Sequence, residues 1–327
     1  MKRLIVILLI ALLILPLALT ATGCKATDNG KIKIVATIFP IYDWVMVVLG
    51  DQANEMKVEL LVDNGADLHS FQASAADIKA IAEADLLLYV GGESDDWVED
   101  ALKNATNKNM NKMNLLSLLG EKARPEEYKE GMEHGEEDAH DDHDEEEEHE
   151  SDEHVWLSLK NAVFYVGLIE KELEAIDPDH ADIYKKNAED YIASLNALDA
   201  EYQTAVDASS RHTILFGDRF PFLYLTKDYG IDYYAAFAGC SAASNVSLKT
   251  IDFLRSKVDE LNLKVIFRLE NSSDEIARTI KANSAAKNQE ILVLDSLQSA
   301  NHDEYKNGRT YLSVMTSNLE ALKKALA

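Results

Sequence analysis

Cysteine is almost absent from this chain: two occur in 327 residues, Cys24 and Cys240. That scarcity excludes a disulfide framework. Positive charge is also scarce, with 32 Lys and Arg against 58 Asp and Glu and a formal net charge of -26. A nucleic-acid-binding surface needs a basic face to meet phosphates, so that class is excluded. The acidic excess suits attraction of cations instead. Beyond the N-terminus there is no second long apolar run, so the mature body is expected to be soluble and held at a membrane surface rather than to span it. No internal repeat of fixed period is found. Nor is there a Ser-His-Asp elbow, a P-loop or a dinucleotide fingerprint that would suggest catalysis.

What is present begins with a signal. Met1-Lys2-Arg3 is a short positive stretch, "LIVILLIALLILPLALT" is an apolar core, and "ATGC" ends at Cys24. A secretory signal peptide has these parts in this order. Small residues ending at a cysteine resemble a bacterial lipobox, which implies lipidation of Cys24 and cleavage before it. "KATDNG" then reads as a tether. About 300 residues remain, enough for two modest domains.

The middle of the chain carries "MEHGEEDAHDDHDEEEEHESDEH", Met132 to His154. A block of like charge without apolar residues cannot offset its ordering entropy, so a solvated loop is expected. Its histidines, His134, His140, His143 and His149, make it a compositional signal for metal contact. Imidazole suits zinc and its neighbours, and carboxylates add charge and hard oxygen donors.

Elsewhere short β-branched runs alternate with helical patterns. Strands are expected at Lys31–Phe39, Lys57–Val62, Asp85–Gly91, Thr213–Asp218, Asp232–Phe237, Lys264–Glu270 and Glu290–Ser296. A helix is expected from Ser74, another after an N-cap at Ser158, and an amphipathic one at the C-terminus. Asp177-Pro178 reads as the cap and first residue of a helix about eight turns long, uninterrupted by Gly or Pro. The fold class is α/β: two lobes with mainly parallel sheets, joined by one long rigid helix. The expected organisation is a signal at 1–23, a tether at 24–30 and an N-terminal lobe at 31–176 containing the 132–153 loop. A connecting helix at 177–209 and a C-terminal lobe at 210–327 complete it.

Ligands of open α/β sheets sit beyond the carboxyl ends of strands. His69, Asp218 and Asp295 fall at such positions, and His154 follows the acidic run. Each alone is an ordinary capping residue. Together, two imidazoles and two carboxylates form a plausible four-ligand set for a divalent metal in the cleft between lobes. Aromatics near these positions, Phe39, Tyr42, Trp156 and Phe237, are read as cleft walls or core.

"GADLHSFQAS", "DEHVWLS" and "ILVLDS", in this order, resemble the ligand motifs of the solute-binding proteins of bacterial zinc and manganese ABC transporters. The resemblance covers the chain after Cys24. It implies that His69, His154 and Asp295 bind metal, that the acidic run is the variable loop of zinc-specific members, and that the helix from Asp177 is the rigid connector. The third ligand departs from the pattern. Where the family carries His or Glu, "FGDRFPF" offers Gly217, with Asp218 beside it. Cys240 in "AFAGCSAASN" is the alternative donor, as thiolate, and three protein ligands plus water is another arrangement. Glu270 is expected to orient an imidazole.

The resemblance implies an exported, lipid-anchored monomer, not an enzyme, on the outer face of the bacterial cytoplasmic membrane. It would pass Zn2+ to an ABC permease, the acidic run acting as an auxiliary. Mn2+ is the close rival, since two His and two carboxylates also suit that harder ion. A metallohydrolase, or a surface adhesin or metal buffer, is the more distant alternative.

Overall fold

Buried apolar strands set the frame. The computed structural model describes residues 30–133, 150–241 and 245–327. The signal segment with Cys24 and the histidines at 134, 140, 143 and 149 lie outside the described residues.

The N-terminal half is built on β1 (Lys33–Ala36), α1 (Phe39–Leu49), β2 (Lys57–Leu60), α2 (Ala75–Glu83), β3 (Leu86–Tyr89), α3 (Asp96–Lys103), β4 (Asn111–Asn114) and α4 (Leu115–Leu119). Its four strands form one parallel sheet in the order β2-β1-β3-β4. All four residues of β3 are buried, as expected for a central parallel strand covered on both faces. Ser74 caps α2 in a reciprocal capping box with Asp77. Two details differ from the sequence reading. Phe39 starts a helix rather than ending a strand, because Pro40 sits in the first turn, where its missing N–H costs nothing. The polar "NKMN" of β4 shows no alternation, yet it pairs with β3 along its whole length.

Two helices follow, α5 (Leu159–Ile176) and α6 (Ala181–Asp207). The Ser158 side chain caps α5 by accepting from the Asn161 N–H at 3.0 Å. The long helix begins at Ala181, three residues later than the Pro178 start that the signal suggests. Pro178–His180 form a single 3-10 turn, and the Asp177 carboxylate faces His180 and accepts from the Tyr184 hydroxyl instead of capping the backbone. At 1.5 Å per residue α6 is about 40 Å long. Its buried stripe is Tyr184, Ala188, Tyr191, Leu195, Leu198, Tyr202 and Val206.

The C-terminal half comprises β5 (Thr213–Leu215), β6 (Arg219–Phe220), α7 (Leu223–Tyr229), β7 (Asp232–Tyr234), β8 (Phe237–Ala238), α8 (Leu248–Glu260), β9 (Val265–Arg268), α9 (Glu275–Asn283), β10 (Glu290–Val293), α10 (His302–Lys306) and α11 (Tyr311–Leu326). Its strands pair in parallel as β5 with β7, β6 with β8, and β9 with β10. A bridge between Phe216 and Phe267 ties β5 to β9. The fold is therefore α/β with parallel sheets and a long helix. One apolar cluster around Val35, Leu87 and Val98 fills the first half, and another around Leu254, Ile266 and Ile280 fills the second.

Candidate metal centre

The loop after β2 brings the first donor. Asp67 opens a single 3-10 turn, Leu68–Ser70, and its carboxylate accepts the His69 N–H at 3.0 Å. This local bond sets the backbone of His69 without help from a sheet. The loop is also tied to the far end of the chain, since Gly65 N–H donates to Ala300 O at 3.1 Å and Asn64 bridges Asn301.

His154, the second donor, is completely buried. Asp152 Oδ1 accepts its backbone N–H at 2.9 Å and lies 3.2 Å from its Nδ1. The Trp156 ring packs beside the imidazole, and Trp156 Nε1 donates to Ser296 O at 2.8 Å. The two imidazoles meet edge to edge, with Nε2 of His69 3.2 Å from Nε2 of His154.

Both rings are held from behind. His69 Nδ1 lies 2.7 Å from Ser94 Oγ and 3.7 Å from Glu153 Oε2. Glu153 is fixed in turn by the Ser94 N–H, which donates to its Oε1 at 2.8 Å. So the adjacent residues Asp152 and Glu153 each place a carboxylate behind one imidazole. The Asp152 carboxylate at His154 Nδ1 and the Ser94 hydroxyl at His69 Nδ1 favour a proton on Nδ1 and leave Nε2 as the ligand atom, the usual arrangement behind metal-binding histidines. The sequence signal for this was the triplet Asp152-Glu153-His154 itself, read only for its histidine.

The third converging donor is Cys240. One ligand atom each from His69, His154 and Cys240 lie within 4.8 Å of one another, the one such group of His, Cys, Asp or Glu among the described residues. Cys240 sits just past β8, its backbone N–H bound to Glu126 Oε1 at 2.7 Å. The preceding Gly239 lets the backbone approach His154: a Cβ there would stand 2.9 Å from Phe220 O and 3.2 Å from the ring.

The other expected donors lie elsewhere. A side chain at Gly217 would meet the backbone of α9, with a Cβ only 2.8 Å from Ala277 N and Cα, so the family's ligand position is filled by a helix. Asp218 spends its carboxylate on the fold, accepting from Leu269 N–H at 3.0 Å, from Arg219 N–H at 2.9 Å and from the Ser272 hydroxyl. Asp295 is gripped by Arg309, whose Nη2 lies 2.9 Å from both of its carboxylate oxygens. Neither belongs to the converging group. Glu270 touches neither imidazole; its carboxylate accepts from Ser296 N–H and Oγ and from Ser299 Oγ. Phe237 is core, and Phe39 and Tyr42 pack against Tyr305.

Charge follows this geometry. Burial, and then the neighbouring His154, push the His69 pKa down to about 3. Burial works against charge on His154 too, but the Asp152 carboxylate outweighs it and raises that pKa. Burial, then Glu126, push the Cys240 thiol up. The Cys240 thiol, its pKa pushed up, gives up its proton more readily beside a cation.

Comparison with known proteins gives a consistent set. Residues 34–325 match the family described as ZnuA, zinc-uptake complex component A, periplasmic. The chain is 31% identical over 308 residues to the zinc-binding lipoprotein AdcA of Streptococcus pneumoniae, covering 94% of this chain and 58% of AdcA. It is 30% identical over 304 residues to the high-affinity zinc uptake system protein ZnuA of Bacillus subtilis, covering 93% of this chain and 90% of that protein. The chain thus spans little more than half the length of the AdcA relatives. The solved Zn(II)-bound ZnuA-like domain of Streptococcus pneumoniae AdcA superposes with a TM-score of 0.69 at 28% identity, covering 91% of this chain and 99% of that domain.

Proposed function

Because this chain belongs to the ZnuA family of zinc-uptake components, we propose that it is the extracytoplasmic solute-binding protein of a zinc ABC importer. It captures Zn2+ on His69 Nε2, His154 Nε2 and Cys240 Sγ and presents it to a membrane permease. One observation carries this reading: three donors from three distant segments converge within 4.8 Å, His154 backed by the Asp152 carboxylate and His69 by the Ser94 hydroxyl.

The donor set also bears on the choice of metal. Imidazole with thiolate suits zinc, whereas manganese prefers carboxylate, carbonyl and water. The Cys240 proton leaves when the dication arrives, so zinc binding at neutral pH releases protons.

The acidic run serves as an auxiliary. Its described flanks lie against the centre. Glu133 pairs with Phe237, three residues before Cys240, and Ser151, three residues before His154, pairs with Pro125. The run's charge raises the local cation concentration. Lipidation at Cys24 anchors the exported protein.

The test is zinc titration of the chain lacking residues 134–149. One tight equivalent should remain, and His69→Ala or His154→Ala should abolish it. If both variants titrate like the parent, the reading is wrong.

A further inference from the structure

The three converging donors leave a tetrahedral zinc one ligand short. A buried polar side chain lies next to His154 Nε2: Gln298, which is 3% exposed. Its Oε1 lies 3.2 Å from His154 Nε2, matching the 3.2 Å between the two imidazole nitrogens. Ligand atoms held at about 2.0 Å from one tetrahedral zinc stand about 3.3 Å apart.

The orientation of the amide is not free. Gln298 Nε2 donates to Asp67 Oδ2 at 3.1 Å, and Asp67 is also paired with Arg219. A carboxylate only accepts, so the NH2 must face Asp67 and the carbonyl oxygen must face His154. His154 Nδ1 faces the Asp152 carboxylate, which leaves Nε2 as a lone pair in the neutral ring. The amide oxygen, then, lies against His154 Nε2, the ring nitrogen opposite the one that faces Asp152. A zinc ion can replace a proton between these two atoms, with the imidazole lone pair and the amide oxygen as its donors.

The backbone is bent to place it there. Leu297, fully buried, has φ 61°, a conformation that non-glycine residues rarely adopt. Asp295 Oδ1 accepts the Leu297 N–H at 2.9 Å while Arg309 holds the same carboxylate. Glu270 fixes Ser296 and Ser299 from the other side. Asp295 and Glu270 hold the turn, and the turn aims Gln298.

Resting on the zinc reading above, we infer that Gln298 supplies the fourth donor through its side-chain oxygen, and that Asp295 builds the turn instead of binding the ion. The site is then one thiolate, two imidazoles and one neutral amide. Its single charged donor is the soft thiolate, which disfavours manganese further.

A structure of the zinc-loaded full chain with anomalous scattering at the zinc edge tests this. The expected result is one ion bonded to His69, His154, Cys240 and Gln298 Oε1. An ion held by the two histidines, with Asp295 or water where Gln298 should be, overturns the inference and leaves the zinc reading intact. No ion at the histidines overturns both. In solution, Gln298→Leu should weaken zinc in chelator competition by at least the ~10–100-fold typical of losing a supporting partner. It should also shift the visible bands of the Co2+-substituted protein. Unchanged affinity and unchanged bands contradict the assignment.

Discussion

The two halves of the centre were assembled by different means. In the N-terminal half the proposed donors are the motif histidines, and each motif carries its own support: Asp67 sets the His69 backbone, and Asp152 sets His154. In the C-terminal half the motif positions are occupied by structure. Gly217 lies under α9, Asp218 binds Leu269 and Ser272, and Asp295 is paired with Arg309. The donors proposed for that half come from close by, Cys240 past β8 and Gln298 three residues past Asp295. A motif that contains its own hydrogen-bonding partners transfers between relatives as a unit. A lone ligand at a strand end depends on neighbours it does not specify.

The largest expected effect distinguishes the halves by their donors. Cys240→Ala should weaken zinc as severely as His154→Ala, each by more than the ~100-fold upper range of outer-partner changes. Chelator competition measures both, and a Cys240→Ala protein that binds like the parent would return the third position to the motif.

Asp295→Ala should act mainly on the fold. Both partners of the Asp295–Arg309 pair keep some exposure, 18% and 17%. The loss should be about 1–3 kcal/mol, below the ~3–5 kcal/mol of a fully buried pair. Denaturant unfolding of the metal-free variant reads this directly. Unchanged stability with zinc binding abolished would make Asp295 a ligand after all.

Glu153→Gln should weaken zinc by about tenfold, the low end for a residue that orients a ligand, because Ser94 Oγ still faces His69 Nδ1. No effect on affinity would show that Ser94 alone orients the ring.

The smallest effect concerns pH. Burial raises Asp95, which holds the Val90 and Gly91 N–H groups beneath the Ser94 loop, to about 7. Its ordinary value is 3.8. Between those values the folded state binds more protons than the unfolded state, so this contribution to stability is full below about pH 4 and lost as pH rises to about 7. In the metal-free protein the stability of the parent relative to Asp95→Asn should therefore fall across that window. A difference independent of pH would contradict it.

The sequence showed much of this and hid a definable part. The α/β class, the parallel strands, the Ser158 cap and the buried stripe of α6 follow from periodicity and capping, which are local. His69 and His154 each have a hydrogen-bonding support two residues away in the chain, Asp67 and Asp152, so a local motif points to them. β4 was missed because sheet neighbours, not its own polar residues, hold it in place. Gln298 was hidden because nothing in "LDSLQSA" marks an amide as a donor. Only the Asp67–Arg219 pair and the turn at Leu297, made by residues far apart in the chain, aim it at His154. The close approach of Gly239 to His154 is likewise a tertiary fact.

The account stands on a sulfur donor in the centre. X-ray absorption at the zinc edge of the loaded protein tests it most directly. One sulfur neighbour at about 2.3 Å with nitrogen and oxygen at about 2.0 Å is the expected shell, and the sulfur should vanish in Cys240→Ser. A tightly bound zinc surrounded by nitrogen and oxygen alone would contradict it.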